Sequence, residues 1–367
     1  IFALARLQEE QKTAISERHA SYYKDLLSAA DDLYLKGGDS ILAGLALFDR
    51  EDENIASGFA WAANNSGISS PAAELCMKYP DAGVYVLDLR LHPRQKISWL
   101  EAALAAARKL KDRVMEGAHL GNLGITYGAL GETRNAIEYF KQALEIVRDL
   151  GDQRSEGNTL GNLGIAYTNL GETRKAIEYH LQAIVINRYI GNKKSEGDDL
   201  GNLGNAFAAL GETRNAIECC EKALEIAGDF GDRRSEGIHM GNLGLAYSDL
   251  GETRLAIQYH EHALDIDREI GDKRGEREDL GNLGNAYADL GEHRRAIEYF
   301  EQSLAIAREI GDRRGEANSL FNSSLALFKL GKHSEAIEKA EIALQIYELI
   351  ESLVADKVRQ QLAEWRR

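Results

Sequence analysis

The tetrapeptide Gly-Asn-Leu-Gly begins at Gly121, Gly161, Gly201, Gly241 and Gly281, and a degraded copy, Phe-Asn-Ser-Ser, begins at Phe321. The interval is 40 residues every time. Leu-Gly-Glu-Thr-Arg follows in phase at Leu130, Leu170, Leu210 and Leu250, and Leu-Gly-Glu-His-Arg at Leu290. A period of this length is the mark of a stacked array, in which each unit is one supersecondary element that buries its apolar side only against its neighbours.

Within one unit, Leu160, Leu163, Gly164 and Tyr167 fall at i, i+3, i+4 and i+7, one face of an α-helix. Gly171 ends that helix in the left-handed conformation that glycine tolerates. A second helix carries Ala176, Ile177, His180, Ala183 and Ile184 on its apolar stripe. Gly191 stops it, and Asn192 is the expected N-cap of the next helix. The spacing therefore predicts an all-α chain, a solenoid of stacked helical hairpins.

The residues Leu160, Leu163, Gly164, Tyr167, Ala176 and Ala183 match the spaced small and large positions of the tetratricopeptide repeat, a resemblance that implies a right-handed superhelical solenoid. The proline usual at the end of that family's second helix is replaced here by Gly-Asp or Gly-Asn. The 40-residue form resembles the repeats of Pins-type spindle-orientation adaptors and, more loosely, of kinesin light chains. This resemblance covers residues 113–350 as six clear units. A seventh, weaker unit is expected ahead of them, so that about seven repeats fill 81–350. Its second helix carries Trp99, Leu100, Ala103 and Ala107, and its first lies near 84–91. Residues 353–365 read as a terminal helix, in a capping segment 351–367.

Residues 1–80 do not repeat. A long helical pattern runs over 3–35, then Gly37-Gly38, then shorter helices near 41–48 and 54–63. The stretches His19-Ala-Ser-Tyr-Tyr and Phe48-Asp-Arg-Glu-Asp-Glu-Asn-Ile, with Trp61-Ala, resemble the junction between nucleotide-binding core and repeats in bacterial signal-transduction ATPases of the NB-ARC type. That resemblance implies a helical junction at 1–80 and a sensor arm beyond it. No Gly-x-x-x-x-Gly-Lys-Ser/Thr loop occurs in the sequence, so a nucleotide-binding domain would lie upstream of Ile1 in a longer protein. The first residue is Ile, which fits a fragment.

A protein or peptide ligand is the expected partner. First helices of such hairpins line the concave side, and Asn122, Asn162, Asn202, Asn242, Asn282 and Asn322 recur on them. A carboxamide offers two donors and an acceptor, so it can hold a peptide group without reading its side chain. The resembling adaptors use Asn here in that way. Helices pack ~8–10 Å apart, so successive first helices lie about 16–20 Å apart, four to six residues of extended chain at ~3.3 Å each. Alternatively, each Asn bonds to a neighbouring repeat and orders the stack. The glycines Gly121, Gly161, Gly201, Gly241 and Gly281 leave room for either a neighbouring helix or a ligand.

Positions that vary between units are where selectivity is expected. One series reads Ile125, Ile165, Asn205, Leu245, Asn285, Leu325, and another Ala118, Asn158, Asp198, Ile238, Glu278, Asn318. With Asp199 and Asp279, the acids Asp198 and Glu278 suggest a ligand carrying Lys or Arg.

Charge and cysteine content bound the rest. There are 59 acidic against 44 basic residues, a formal net charge of −15. Such a surface repels phosphate backbones and anionic lipid, so neither nucleic acid nor membrane is an expected partner. The three cysteines, Cys76, Cys219 and Cys220, form no disulfide framework and read as small core residues. A cytoplasmic location follows as the expectation. No cofactor, metal site or catalytic constellation is expected: His180 and His260 lie two units apart, His260 and His262 point to different helix faces, and Ser323-Ser324 reads as repeat decay. The Glu-Thr-Arg turns read as Thr caps and Arg bridges. Three functions stay open: the sensing arm of a signalling ATPase, a stand-alone adaptor clamping an extended peptide, and a self-assembling architectural solenoid.

Overall fold

Glycine sets the joints of the chain. In a computed structural model, which describes residues 9–350 and 352–366, the glycine that follows each first helix is left-handed, from Gly131 (φ 76°) through Gly171 (φ 79°) to Gly331 (φ 78°). So are the glycines after five of the second helices, Gly151 (φ 69°), Gly191, Gly231, Gly271 (φ 72°) and Gly311. An L-residue at such sites pays a steric cost that glycine escapes, so the two punctuation marks of the period are fixed by backbone geometry. Among the described residues all regular structure is helical. The chain divides into two units, Ile1–Ile190 and Gly191–Arg367.

The first unit opens with α1 (Glu9–Leu35) and α2 (Asp39–Asn65), a hairpin turned at Gly37 and Gly38. Helix α3 (Ser70–Lys78) follows, capped by the Ser69 hydroxyl, then a 3-10 turn at Pro80–Gly83 and α4 (Val84–Arg90). Next come α5 (Pro93–Leu110), α6 (Arg113–Ala129), α7 (Thr133–Leu150), α8 (Gln153–Asn169) and α9 (Thr173–Tyr189). Residues 3–8 of the expected first helix lie outside the described residues. The two short helices expected near 41–48 and 54–63 are one continuous helix. The acidic stretch between them contains neither Pro nor Gly and sits mostly on the solvent face, so nothing breaks the helix there.

The partner of α5 also differs from expectation. Helix α4 is only 7 residues long, and on its N-terminal side α5 packs on α3 far more than on α4. An aromatic cluster makes that contact: Phe59 stacks on Trp99 at 4.1 Å and Tyr79 meets both edge-on. The buried Tyr79 hydroxyl donates to the Ala20 carbonyl at 2.8 Å, and Asp31 accepts from the amides of Tyr85 and Val86 at 2.9 Å each, capping α4 from a distant helix.

The second unit is a run of hairpins: α10 (Lys193–Ala209) with α11 (Thr213–Phe230), α12 (Arg233–Asp249) with α13 (Thr253–Ile270), α14 (Lys273–Asp289) with α15 (His293–Glu309), and α16 (Arg313–Lys329) with α17 (His333–Leu349). Helix α18 (Val354–Trp365) buries Ala355, Val358 and Leu362 in the last of these cores. In several hairpins a first-helix glycine receives a large side chain: Gly284 lies under Phe300, Gly244 under His260, and Gly124 under Phe140 in the first unit. A Cβ at those positions would enter the ring, so close packing accounts for these glycines.

Successive first helices touch one another as well as their own partners: α6 with α8 in the first unit, and α10, α12, α14 and α16 in series in the second. No comparable contact joins successive second helices within either unit among the described residues. Within each unit the first helices therefore form the inner side of the curve.

Candidate functional site

The recurrent asparagines stand on that inner side. Each is half-buried, with the residue four positions before it exposed in every repeat and the residue three positions after it exposed in all but the last. One turn of helix thus presents a stripe of three side chains. On α8 it is Asn158, Asn162 and Ile165; on α10, Asp198, Asn202 and Asn205; on α12, Ile238, Asn242 and Leu245. On α14 it is Glu278, Asn282 and Asn285, and on α16 Asn318, Asn322 and Leu325, with Asn122 between Ala118 and Ile125 on α6.

The carboxamides are not equivalent. Those of Asn122, Asn162, Asn202 and Asn282 make no hydrogen bond to another described residue. Asn242 holds its Nδ2 buried without a partner. Asn322 donates from Nδ2 to Asn285 Oδ1 at 3.0 Å, which joins two residues of the expected site across neighbouring hairpins. At that one position the inter-repeat bond expected as the alternative is present. The inner-face glycines divide too: a Cβ on Gly201 would strike His239 and one on Gly241 would meet Asp279 Oδ1 at 3.4 Å, both on the next first helix, whereas the space beside Gly121 is open.

The acidic positions need correction. Glu278 is engaged by Arg274 Nε at 3.3 Å and Arg277 Nη2 at 2.6 Å, both from its own helix. Asp279 is buried and faces His260 Nδ1 at 2.9 Å. Asp199 is buried as well. Of the four acids expected to attract a basic ligand, only Asp198 remains exposed without a direct ion pair. Burial of part of its carboxyl pushes its pKa up, against a lowering pull from Lys194.

Two periodic features carry structural work that the motif reading missed. A glutamate in the first turn of a first helix is held by cations from two directions in three of the hairpins. Glu116 takes Arg108 Nε at 2.8 Å from the preceding helix and Arg113 Nη1 at 2.7 Å from its own; Glu276 repeats this with Arg268 and Lys273, and Glu316 with Arg308 and Arg313. Burial alone would raise the Glu116 and Glu276 carboxyls, but the hydrogen bonds from these cations outweigh it and hold both below the ordinary glutamate value. The second feature is a stacked tyrosine pair at the hairpin turn: Tyr127 on Tyr139, Tyr167 on Tyr179, Tyr247 on Tyr259 and Tyr287 on Tyr299, with centroids 5.2–5.3 Å apart. Both series recur at 40 residues or a multiple of it and are open to the same count that finds Gly-Asn-Leu-Gly.

Capping departs from expectation in two places. Asn192 occupies the N-cap position of α10, but its side chain makes no capping bond and donates to Ser195 Oγ at 2.9 Å, whereas Asp152, Asp232, Asp272 and Asp312 do cap their helices. At the other turn, Glu132, Glu172, Glu212 and Glu252 take the N-cap position and the threonines are the first helical residues. Burial pushes the thiols of Cys220 and Cys76 up to about 12 and that of Cys219 to about 11, so all three are poor nucleophiles at neutral pH.

The tetratricopeptide-repeat family model matches residues 97–149, 135–188, 200–269 and 280–348, more than half of the chain. The chain belongs to the tetratricopeptide-repeat family. No curated protein sequence matches it. Among solved structures, this repeat protein is similar to the Signal Transduction ATPase with Numerous Domains protein with a tetratricopeptide repeat sensor from Pyrococcus horikoshii. That likeness has a TM-score of 0.65 at 17% identity and covers 97% of this chain and 56% of the other. Aspartyl phosphate phosphatase F from Bacillus subtilis aligns with a TM-score of 0.56 at 16% identity, over 98% of this chain and 95% of the other. BtubC from P. vanneervenii aligns with a TM-score of 0.54 at 21% identity, over 60% and 92%. At these identities the likeness is one of fold. The all-helical repeat architecture is that of a protein-interaction scaffold. Among the described residues no group of His, Cys, Asp and Glu could hold a metal ion, and no helix is long and apolar enough to cross a membrane.

Proposed function

We propose that the inner face of the repeats in each unit binds an extended peptide or protein segment through its main chain, and that the chain is the ligand-sensing arm of a larger signalling ATPase. The observation that carries the binding reading is the set of half-buried amides at Asn122, Asn162, Asn202 and Asn282, which recur once per hairpin with hydrogen-bonding capacity left over. Half-buried polar groups gain most from a partner that excludes water around them. The sensing reading draws support from the junction-like residues 1–80 and from the fold shared with a repeat sensor of an ATPase. It requires a nucleotide-binding domain ahead of residue 1, which the coding sequence upstream would reveal. A phosphate-binding loop there supports the sensor, and its absence leaves the stand-alone adaptor.

The double variant Asn162→Ala with Asn202→Ala tests the binding face. Each lost hydrogen bond is worth about 0.5–1.5 kcal/mol, so the pair weakens binding roughly 5- to 150-fold while melting stays nearly unchanged. A pull-down from native lysate read by mass spectrometry compares parent and variant. Identical captured proteins would assign the amides to ordering the stack, as Asn322 does. Light scattering over a range of concentrations addresses the architectural reading, which requires self-association.

A further inference from the structure

At the C-terminal end of the second unit the inner face is no open strip. Residues of α14, α16 and α18, with two from α15, line a cavity of about 840 Å3. Phe300 and Ala326 are buried at its base. Trp365 of α18 makes one wall, stacked on Phe328 at 4.4 Å with the planes 7° apart. Asn285 and Asn322 stand on the opposite helices, already bonded to each other. That bond fixes their orientation: it uses the acceptor of Asn285 and one donor of Asn322, leaving Asn285 Nδ2 to donate and Asn322 Oδ1 to accept. One donor beside one acceptor is the complement of a single peptide group. Asp289 and Glu364 are exposed on the wall and have no ion-pair partner among the described residues, against one cation there, Lys329.

We propose that this cavity anchors a peptide segment in which a large apolar side chain is followed by Lys or Arg. The inference rests on the reading that inner-face amides hold peptide main chain, and it adds where the segment is anchored and by what residues. The apolar side chain lies against Trp365 and Leu325, its peptide group meets the Asn285–Asn322 pair, and the cation sits between Asp289 and Glu364. A pocket of this size, apolar at depth with a few convergent polar groups, suits one such side chain and the main chain beside it.

The indole N–H resonance of Trp365, identified in the full chain by its loss in Trp365→Phe, reports occupancy. Acetyl-Phe-Arg-amide, acetyl-Phe-Glu-amide and acetyl-Ala-Arg-amide are the probes. The first shifts the resonance saturably, and the other two bind at least about 3-fold more weakly. The double variant Asp289→Asn with Glu364→Gln changes only exposed positions, and it removes the preference for Arg over Glu. No shift below ~10 mM of the first probe, weaker than ~2.7 kcal/mol of binding, overturns the proposal. So does an equal response to all three probes, or a preference that survives the double variant. Loss of partner capture by the Asn162/Asn202 variant together with a silent Trp365 would remove the cavity and keep the amide face. A responsive Trp365 with capture indifferent to those asparagines would keep the cavity and remove the longer face.

Discussion

The N-terminal bundle and the repeats are both made of paired helices, yet they are held together in opposite ways. In the bundle, contacts are unique and distant in sequence: Tyr79 reaches Ala20, Asp31 caps α4, and Phe59 stacks on Trp99. In the repeats such contacts are near in sequence and recur at 40 residues or a multiple of it, a glycine under a ring, a glutamate between two cations, a tyrosine on a tyrosine. The first arrangement concentrates stability in a few side chains, and the second spreads it along the chain.

Substitution should expose that contrast. Trp99→Ala removes a buried aromatic shared by three elements and costs about 3–5 kcal/mol, enough to unfold the bundle as a block. Hydrogen exchange should then show loss of protection across α1–α5 together; loss confined to α5 would refute the shared core. Gly284→Val puts a branched side chain where Phe300 lies and costs about 1–3 kcal/mol. Its loss of protection should centre on α14 and α15 and fade along the neighbouring hairpins, in keeping with nearest-neighbour stacking. Protection lost evenly over the second unit would make the repeats as cooperative as the bundle.

The smallest effect is a pH dependence. Because the Glu276 carboxyl is held below its unfolded value, its contribution is fully present above the ordinary glutamate pKa of about 4.3 and is lost as pH falls through the lowered folded value. Glu276→Gln should therefore lower stability at neutral pH by up to about 1 kcal/mol, since its cations are half exposed, and the difference from the parent should shrink on acidification. Parallel melting curves of both proteins from neutral to acid pH would show that the carboxylate does not act this way.

Much of the repeat region was legible because its determinants are local. Glycine spacing gave the turns, the 3.6-residue stripe gave the buried faces, and Gly-Asn-Leu-Gly placed the asparagines on one side. What escaped depends on neighbours that spacing does not reveal. The continuity of α2 turns on which face of a helix its acidic stretch occupies. The preference of α5 for α3 turns on the shapes of Phe59, Tyr79 and Trp99. The acids misled for the same reason: Glu278 reads as a free anion until Arg274 and Arg277 are seen folded back on it, and Asp279 as a surface group until His260 is found behind it. The cavity beside Trp365 was out of reach because α18 is outside the repeat.

The paired cations around Glu116, Glu276 and Glu316 bear on how such an array grows. The segments 113–152, 153–192, 233–272 and 273–312 each carry the acid near the leading end and an arginine near the trailing end, like a plug and a socket. An in-frame duplication of one such segment places its own arginine against its own acid at the new joint, with no compensating change elsewhere. Repeat number is thus free to drift over generations while the exposed side chains of each copy diverge.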